Sequence, residues 1–251
     1  MLNLKNIIQY CNQYTKISKI IDFPGAKNGL QIENNGKVTK IGAAVDASLE
    51  TFKLAINKKI DLLIVHHGLY WNPPQPITGI NYKKIFTLIK NNLAIYSCHL
   101  PLDLHPKIGN NACIARILCL DISGWFFKYK GNLIGILSEN LLKRSILEER
   151  LKSNFPKTYK AITYGPEKIK KIAICSGDGS NAFSEILNLG IDAFITGEIR
   201  QNYFSLAQDH KINLYPCGHY ATEIFGVQAL ADKVSKYFSI SWEFISNDCV
   251  L

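Results

Sequence analysis

Three times along this chain a short, branched, apolar run ends abruptly in residues of the kind that bind metals. Asp61-Leu62-Leu63-Ile64-Val65 runs into His66-His67-Gly68, and Leu93-Ala94-Ile95-Tyr96-Ser97-Cys98 runs into His99-Leu100-Pro101-Leu102-Asp103. Asn213-Leu214-Tyr215-Pro216-Cys217-Gly218 runs into His219-Tyr220-Ala221-Thr222-Glu223. Runs of this sort read as buried parallel strands, because a strand covered on both faces lacks polar alternation. In open α/β sheets the crevice outside the carboxyl ends of such strands is where ions and small molecules bind. The pattern therefore constrains the chain to an α/β fold with its functional groups at strand ends.

The rest of the sequence fits that class. Strands are predicted at 40–47, 61–65, 93–98, 132–137, 171–176, 191–196, 213–217 and 240–245, with helices between them. Residues 1–14 carry Leu4, Ile7, Ile8 and Cys11 at helical spacing, Ser48 caps a helix through Asn57, and 109–118 forms a shorter helix. The stretch 140–154 is amphipathic, and 222–238 reads as a long closing helix. A boundary after the strand-like 122–129 gives a two-lobed α/β fold, each lobe a mixed β-sheet flanked by helices. The first lobe is 1–128 with 219–251, the second 129–218, and the metal site is expected in the cleft between them.

Counting donors decides what kind of metal site to expect. His66, His67, Asp103, His219 and Glu223 are five candidates, and His99 is a sixth. A catalytic zinc keeps three protein ligands and an open position, so this set suits two ions bridged by a carboxylate or a water. His219 and Glu223 are four apart on a helix and converge on one point. His66 and His67 are adjacent in extended chain, so their side chains point to different sides and could serve different ions. Cys98 and Cys217 read as small buried apolar groups. A lone histidine beside an apolar strand is ordinarily a hydrogen-bonded core or loop residue; it is the repetition that points to a metal centre. His105 and His210 lie outside it. His99 is left open as a further ligand, an orienting partner or a general acid or base.

These residues carry a resemblance that runs nearly from end to end. The matching segments are Asn28-Gly29-Leu30-Gln31, Val65-His66-His67-Gly68-Leu69-Tyr70-Trp71, and His99 to Asp103 followed by Gly109-Asn110-Asn111. Further on come Ile174-Cys175-Ser176-Gly177, then Asp192-Ala193-Phe194-Ile195-Thr196-Gly197-Glu198, then Gly218 to Glu223. In that order they resemble the NIF-three-like family, in its short YbgI-like bacterial form, whose members are labelled GTP cyclohydrolase type-two homologues. The resemblance implies a pair of divalent metals on the equivalents of His66, His67, Asp103, His219 and Glu223, a two-lobed α/β fold and a ring-shaped hexamer. One departure stands out: where the family has a run of glycines, this chain has Ser176-Gly177-Asp178-Gly179-Ser180. Asp178 is expected to cap the helix that begins near Asn181.

Composition narrows the function classes. The 251 residues suffice for one large or two modest domains, and no stretch is long and apolar enough to be read as a membrane span. Seven scattered cysteines give neither a disulfide framework nor a thiolate zinc cluster, so a reducing cytoplasm is the expected home. The net charge is +9, with Lys128, Lys130, Lys143, Arg144, Lys152, Lys157, Lys160, Lys168, Lys170 and Lys171 between the second and third ligand clusters. A solvated lysine face is the common meaning of such a run. It would also draw anionic substrates, nucleotides foremost and single-stranded nucleic acid less so.

The expected activity is that of a dinuclear divalent-metal-dependent hydrolase, using Zn, Fe, Mn, Co or Ni, on a nucleotide or related phosphorylated small molecule. His99 and Glu198 are the candidate proton-handling catalytic residues. Asp46 could orient a ligand histidine or accept backbone hydrogen bonds before the helix that Ser48 starts. Tyr70 and Trp71 could stack on a base or pack beneath the loop of Pro73, Pro74 and Pro76. The alternative from another class is a non-enzymatic metal-binding hexameric scaffold or metal-handling regulator.

Overall fold

The computed structural model describes residues 1–71, 73 and 75–249; Pro74, expected in the loop over Trp71, lies outside the described residues. The chain divides into two compact units, Met1–Leu102 with Gly226–Asn247, and Asp103–Phe225 with Asp248 and Cys249.

The first unit begins with strand β1 (Leu2–Asn3), which pairs antiparallel with β3 (Lys37–Val38). Helix α1 (Leu4–Thr15) follows; the Asn3 side chain accepts from Lys5 N at 2.8 Å to cap it, and Leu4, Ile7, Ile8 and Cys11 form its buried face. The main sheet of this unit runs in the order β13 (Ser241–Phe244), β4 (Lys40–Asp46), β5 (Leu62–His67), β6 (Ala94–Ser97), β2 (Gly29–Ile32). The first four are parallel and β2 is antiparallel to β6. Helices α2 (Leu49–Asn57) and α3 (Gly79–Lys90) connect β4 to β5 and β5 to β6. Ser48 caps α2, its Oγ accepting from Thr51 N at 3.1 Å. Phe52, Ala55, Leu63, Val65, Leu88 and Ile95 share one buried cluster, which is why β4 and β5 carry unbroken apolar runs.

The second unit is entered through the short helix α4 (Leu100–Asp103) and helix α5 (Asn110–Ile117). Strands β7 (Gly124–Tyr129) and β8 (Asn132–Lys143) form a hairpin whose turn residues, Lys130 at φ 46° and Gly131 at φ 87°, both have the left-handed conformation a tight hairpin turn requires. Then come α6 (Arg144–Asn154), β9 (Ile162–Thr163), β10 (Lys168–Asp178), α7 (Phe183–Leu189), β11 (Ala193–Glu198), α8 (Asn202–His210) and β12 (Asn213–Pro216). The sheet order is β7-β8-β10-β11-β12-β9, with β10, β11 and β12 parallel and the remaining pairs antiparallel. Each unit is thus a mixed sheet flanked by helices. Helix α9 (His219–Phe238) starts in the second unit and finishes among the residues of the first.

Three expectations are revised. Strand β5 does not stop at Val65 but continues through both histidines, with Asp46 paired to His67 across the ladder. The helix expected over 140–154 starts at Arg144, because Leu142 and Lys143 are instead paired with Ile169 and Lys168 in the sheet. The expected first lobe of 1–128 ends earlier, at Leu102, because α5 packs on β8 and β10 and β7 pairs with β8; the closing boundary falls at Phe225 instead of Gly218.

Candidate metal centre

In the first unit the carboxyl ends of β5 and β6 present three imidazoles. His66 is fully buried, and His66, His67 and His99 each bring a ring nitrogen within 4.8 Å of the others. Each ring is fixed through Nδ1: His66 against Cys98 O at 3.0 Å, His67 against Asp46 Oδ1 at 2.8 Å, His99 against Asp22 Oδ1 at 2.8 Å. An Nδ1–H given to an oxygen leaves Nε2 as the basic nitrogen each ring would offer a cation, the arrangement that metal-binding histidines share. Trp71 stands edge-on to His99, ring centroids 5.2 Å apart, and 5.9 Å from His67.

The loop before β2 supports this group. Burial opposes the ionisation of Asp22, yet the bond and charge of His99, with the N–H groups of Asn28 and Phe23, hold its carboxyl below the usual value. Asn28 accepts from His99 N at 2.7 Å and donates to Asp22 at 2.8 Å. Gln31 accepts from Leu69 N at 2.6 Å, and a Cβ at Gly68 would overlap its amide. The glycine after the histidine pair is therefore demanded by contact with the Asn28–Gln31 segment.

In the second unit the donors are mainly carboxylates. Asp103 is 5 % exposed and accepts from Asn110 Nδ2 at 2.7 Å and Ser176 Oγ at 3.4 Å. Asn111 accepts from Ser176 N at 2.7 Å, which ties the Ser176–Gly177 turn to helix α5. At the start of α9, His219 lies between Glu198 (Nδ1 to Oε1, 3.0 Å) and the buried Glu223 (Nε2 to Oε1, 3.2 Å). Burial works against a charged His219, but Glu223 and then Glu198 lift its pKa to about 9. Burial above all, with the charges of Asp103, Asp178 and Glu223 added, pushes the Cys175 thiol far up. Gly177, at φ 63°, sits where a Cβ would overlap Glu223 Oε1, and a Cβ on Gly197 would come 2.8 Å from His219 Cα. The glycines of both motifs clear room for these side chains.

A family model described as Duf34/NIF3 (NGG1p interacting factor 3) matches residues 2–249. The chain belongs to the Duf34/NIF3 family. A Deinococcus radiodurans protein named GTP cyclohydrolase 1 type 2 homolog is 36 % identical over 244 residues, covering 96 % of this chain and 91 % of its own. Among solved structures, TTHA1606 from Thermus thermophilus superposes with a TM-score of 0.90 at 31 % identity over 100 % of both chains. Protein ybgI does so with a TM-score of 0.91 at 29 % identity, again over 100 % of both.

Within this Duf34/NIF3 chain, the predicted site residues fall into these two groups by unit. His66, His67 and His99 gather in the first; Asp103, His219, Glu223 and Glu198 belong to the second. Glu198 is placed as the carboxylate that orients His219, and Asp46 as the one that orients His67. His105 Nδ1 instead accepts from Lys107 N and Ile108 N at 3.1 and 3.2 Å, and His210 is an exposed residue at the end of α8. Asp178 accepts from Ser180 N at 2.9 Å and starts the turn that leads into α7, the capping role expected of it. Cys98 and Cys217 are buried, and burial pushes the Cys217 thiol to about 12, as befits a packing group. Sequence reading missed Asp22: it stands in an irregular segment far from His99 in the chain, and only the fold brings the two together. The residues present fit a divalent metal, since buried, oriented imidazoles and carboxylates are the donors that first-row ions take.

Proposed function

We propose that this protein is a hydrolase dependent on two divalent ions, with His66 and His67 of the first unit and Asp103, His219 and Glu223 of the second as ligands. The observation that carries the reading is the group of three imidazoles, each fixed through Nδ1 to a separate oxygen acceptor. Each ring so held keeps Nε2 as the nitrogen it would offer a cation. The name GTP cyclohydrolase 1 type 2 homolog, borne by relatives at 36 % identity, supports a nucleotide or related phosphorylated small molecule as substrate. The ions, when bound, would acidify water and hold developing negative charge. Asp22 orients the His99 ring and fixes its tautomer, which suits His99 to moving a proton. Glu198 acts as a positioning residue by holding the His219 ring.

The test is a turnover screen over nucleotides with metal-loaded and metal-stripped protein. Turnover that appears only with metal is expected. Full metal occupancy with no turnover of any nucleotide would overturn the enzyme reading in favour of a metal-binding scaffold. Assembly into a ring-shaped hexamer belongs to the same proposal; exposed Ile80, Tyr82, Phe86 and Ile89 on α3 give a second copy an apolar face to cover. Light scattering that shows a metal-loaded monomer at micromolar concentration would remove it.

A further inference from the structure

The second unit has a cavity of about 660 Å³ at the carboxyl ends of β11 and β12, beside the short antiparallel strand β9. That volume lies within the range of about 300–1,000 Å³ usual for small-molecule sites, and the ends of parallel strands are where such sites form. Its walls combine two chemistries. Ile162, Ile199 and Phe204 supply apolar surface, and Phe204 is braced edge-on by Tyr164 with ring centroids 5.4 Å apart. Lys160 and Arg200 supply positive charge, and the Arg200 guanidinium is only loosely paired, 3.9 Å from the Asp178 carboxylate. A guanidinium carries five N–H donors in a planar fork, so such a contact leaves donors for an anion. Glu198 also lines the cavity, but its carboxylate is bonded to the His219 ring at 3.0 Å, which offsets its charge and joins the cavity to the metal-ligand end of α9.

We propose that this cavity is the substrate subsite for a planar ring that bears an anionic group, committed here to a nucleoside monophosphate; the inference rests on the nucleotide reading above. The ring packs on Phe204 and against Ile162 and Ile199, and the phosphate is taken by Lys160 and Arg200. Apolar walls alone would hold any flat ring, and two cations alone any anion. Their conjunction next to a carboxylate that orients a metal ligand selects a molecule with both parts. The Lys160 of the basic middle segment thus does more than solvate the surface.

The experiment is calorimetric titration of metal-loaded, full-length protein with GMP, guanosine, inorganic phosphate and benzoate, alongside elemental analysis. GMP should bind most tightly. Lys160→Ala combined with Arg200→Ala should weaken GMP about 100-fold and leave guanosine unchanged, as expected for two lost charge-assisted contacts. Phe204→Ala should weaken GMP and guanosine alike, by about tenfold, and Phe204→Leu by less. Both exposed-site variants should keep their metal and their melting temperature. GMP affinity within about twofold of the parent in both variants, or no GMP binding at all, overturns the subsite. Either result leaves the hydrolase reading standing if metal-dependent turnover persists. Benzoate binding as tightly as GMP overturns the phosphate assignment, and loss of metal from the cavity variants overturns the separation of this subsite from the metal ligands. A protein that binds GMP through these residues but never holds metal overturns the hydrolase reading instead.

Discussion

The first unit gathers imidazole nitrogens, and the second gathers buried carboxylates. His66, His67 and His99 are each fixed by a different acceptor, Cys98 O, Asp46 and Asp22, so the three rings are independently oriented. His219 by contrast is held by two carboxylates, Glu198 at 3.0 Å and Glu223 at 3.2 Å, with Asp103 a further buried acid in the same unit. The difference matters because imidazole gives affinity for first-row ions at little cost in charge, whereas buried carboxylates are costly until a cation compensates them. Asp103 is partly compensated by Asn110 and Ser176, and Glu223 by a His219 lifted to about 9. The imidazoles thus suit a first-row ion, and the buried carboxylates are the groups that a cation would compensate.

The largest expected effect breaks or keeps that distinction. Replacing His66 and His67 together by Gln should reduce metal, measured by elemental analysis of reconstituted protein, from about two ions per chain to about one or fewer. Glu223→Gln should lose the ion that depends on charge and keep about one, held by the imidazoles. If Glu223→Gln empties the protein completely, the imidazole group does not hold an ion by itself and the contrast between the units fails.

Next in size are the orienting carboxylates. Asp46→Asn and Asp22→Asn each remove a charged acceptor from Nδ1 of a histidine and leave the ring in place. Loss of such a partner typically costs 10–100-fold in metal affinity or activity, so Asp46→Asn should weaken metal by about that factor. Asp22→Asn should instead lower turnover at full metal occupancy, because His99 is assigned to proton transfer. Equal effects of the two on metal affinity would make His99 a ligand on the same footing as His67.

Much of this was legible beforehand, for a definable reason. The apolar bodies of β5, β6 and β12 could be read because buried parallel strands have a compositional signature. The continuation of β5 through His66 and His67 could not be read. A histidine buried in a strand end is stable only because its ring bonds an acceptor such as Cys98 O, and that acceptor is a tertiary neighbour. Likewise Leu142 fits the apolar face of a helix or a strand, and its pairing with Ile169 decided for the strand. Asp22 was invisible for the same reason.

A smaller, purely conformational effect is expected at Gly177. Its φ of 63° is left-handed, and a Cβ there would overlap Glu223 Oε1 and lie 3.2 Å from His219 Nε2. Gly177→Ala should cost about 1–3 kcal/mol, which for a chain of this size lowers the melting temperature by roughly 2–4 °C per kcal/mol. Metal should weaken with it, since Glu223 must give way. An unchanged melting temperature with unchanged metal content would show that the glycine is not what clears room for the acidic group.

The smallest effect should come from His105, which shares residue type with the ligands but turns its Nδ1 to backbone N–H groups. Its Nδ1 accepts from Lys107 N and Ile108 N, a local turn that holds the approach to α5, whereas the ligand histidines turn Nδ1 to a carbonyl or carboxylate oxygen. A ring nitrogen that accepts two backbone N–H groups is unprotonated at that position, and the turn it closes lies outside both donor groups. His105→Gln keeps a polar acceptor of similar reach, so stability should change by no more than about 1 kcal/mol and metal content should not change at all. Parallel elemental analysis of His105→Gln and Glu223→Gln is the sharpest control on the comparison between the units. If both variants lose metal equally, burial and Nδ1 orientation are not what mark a ligand in this fold, and the donor sets assigned to both units must be redrawn.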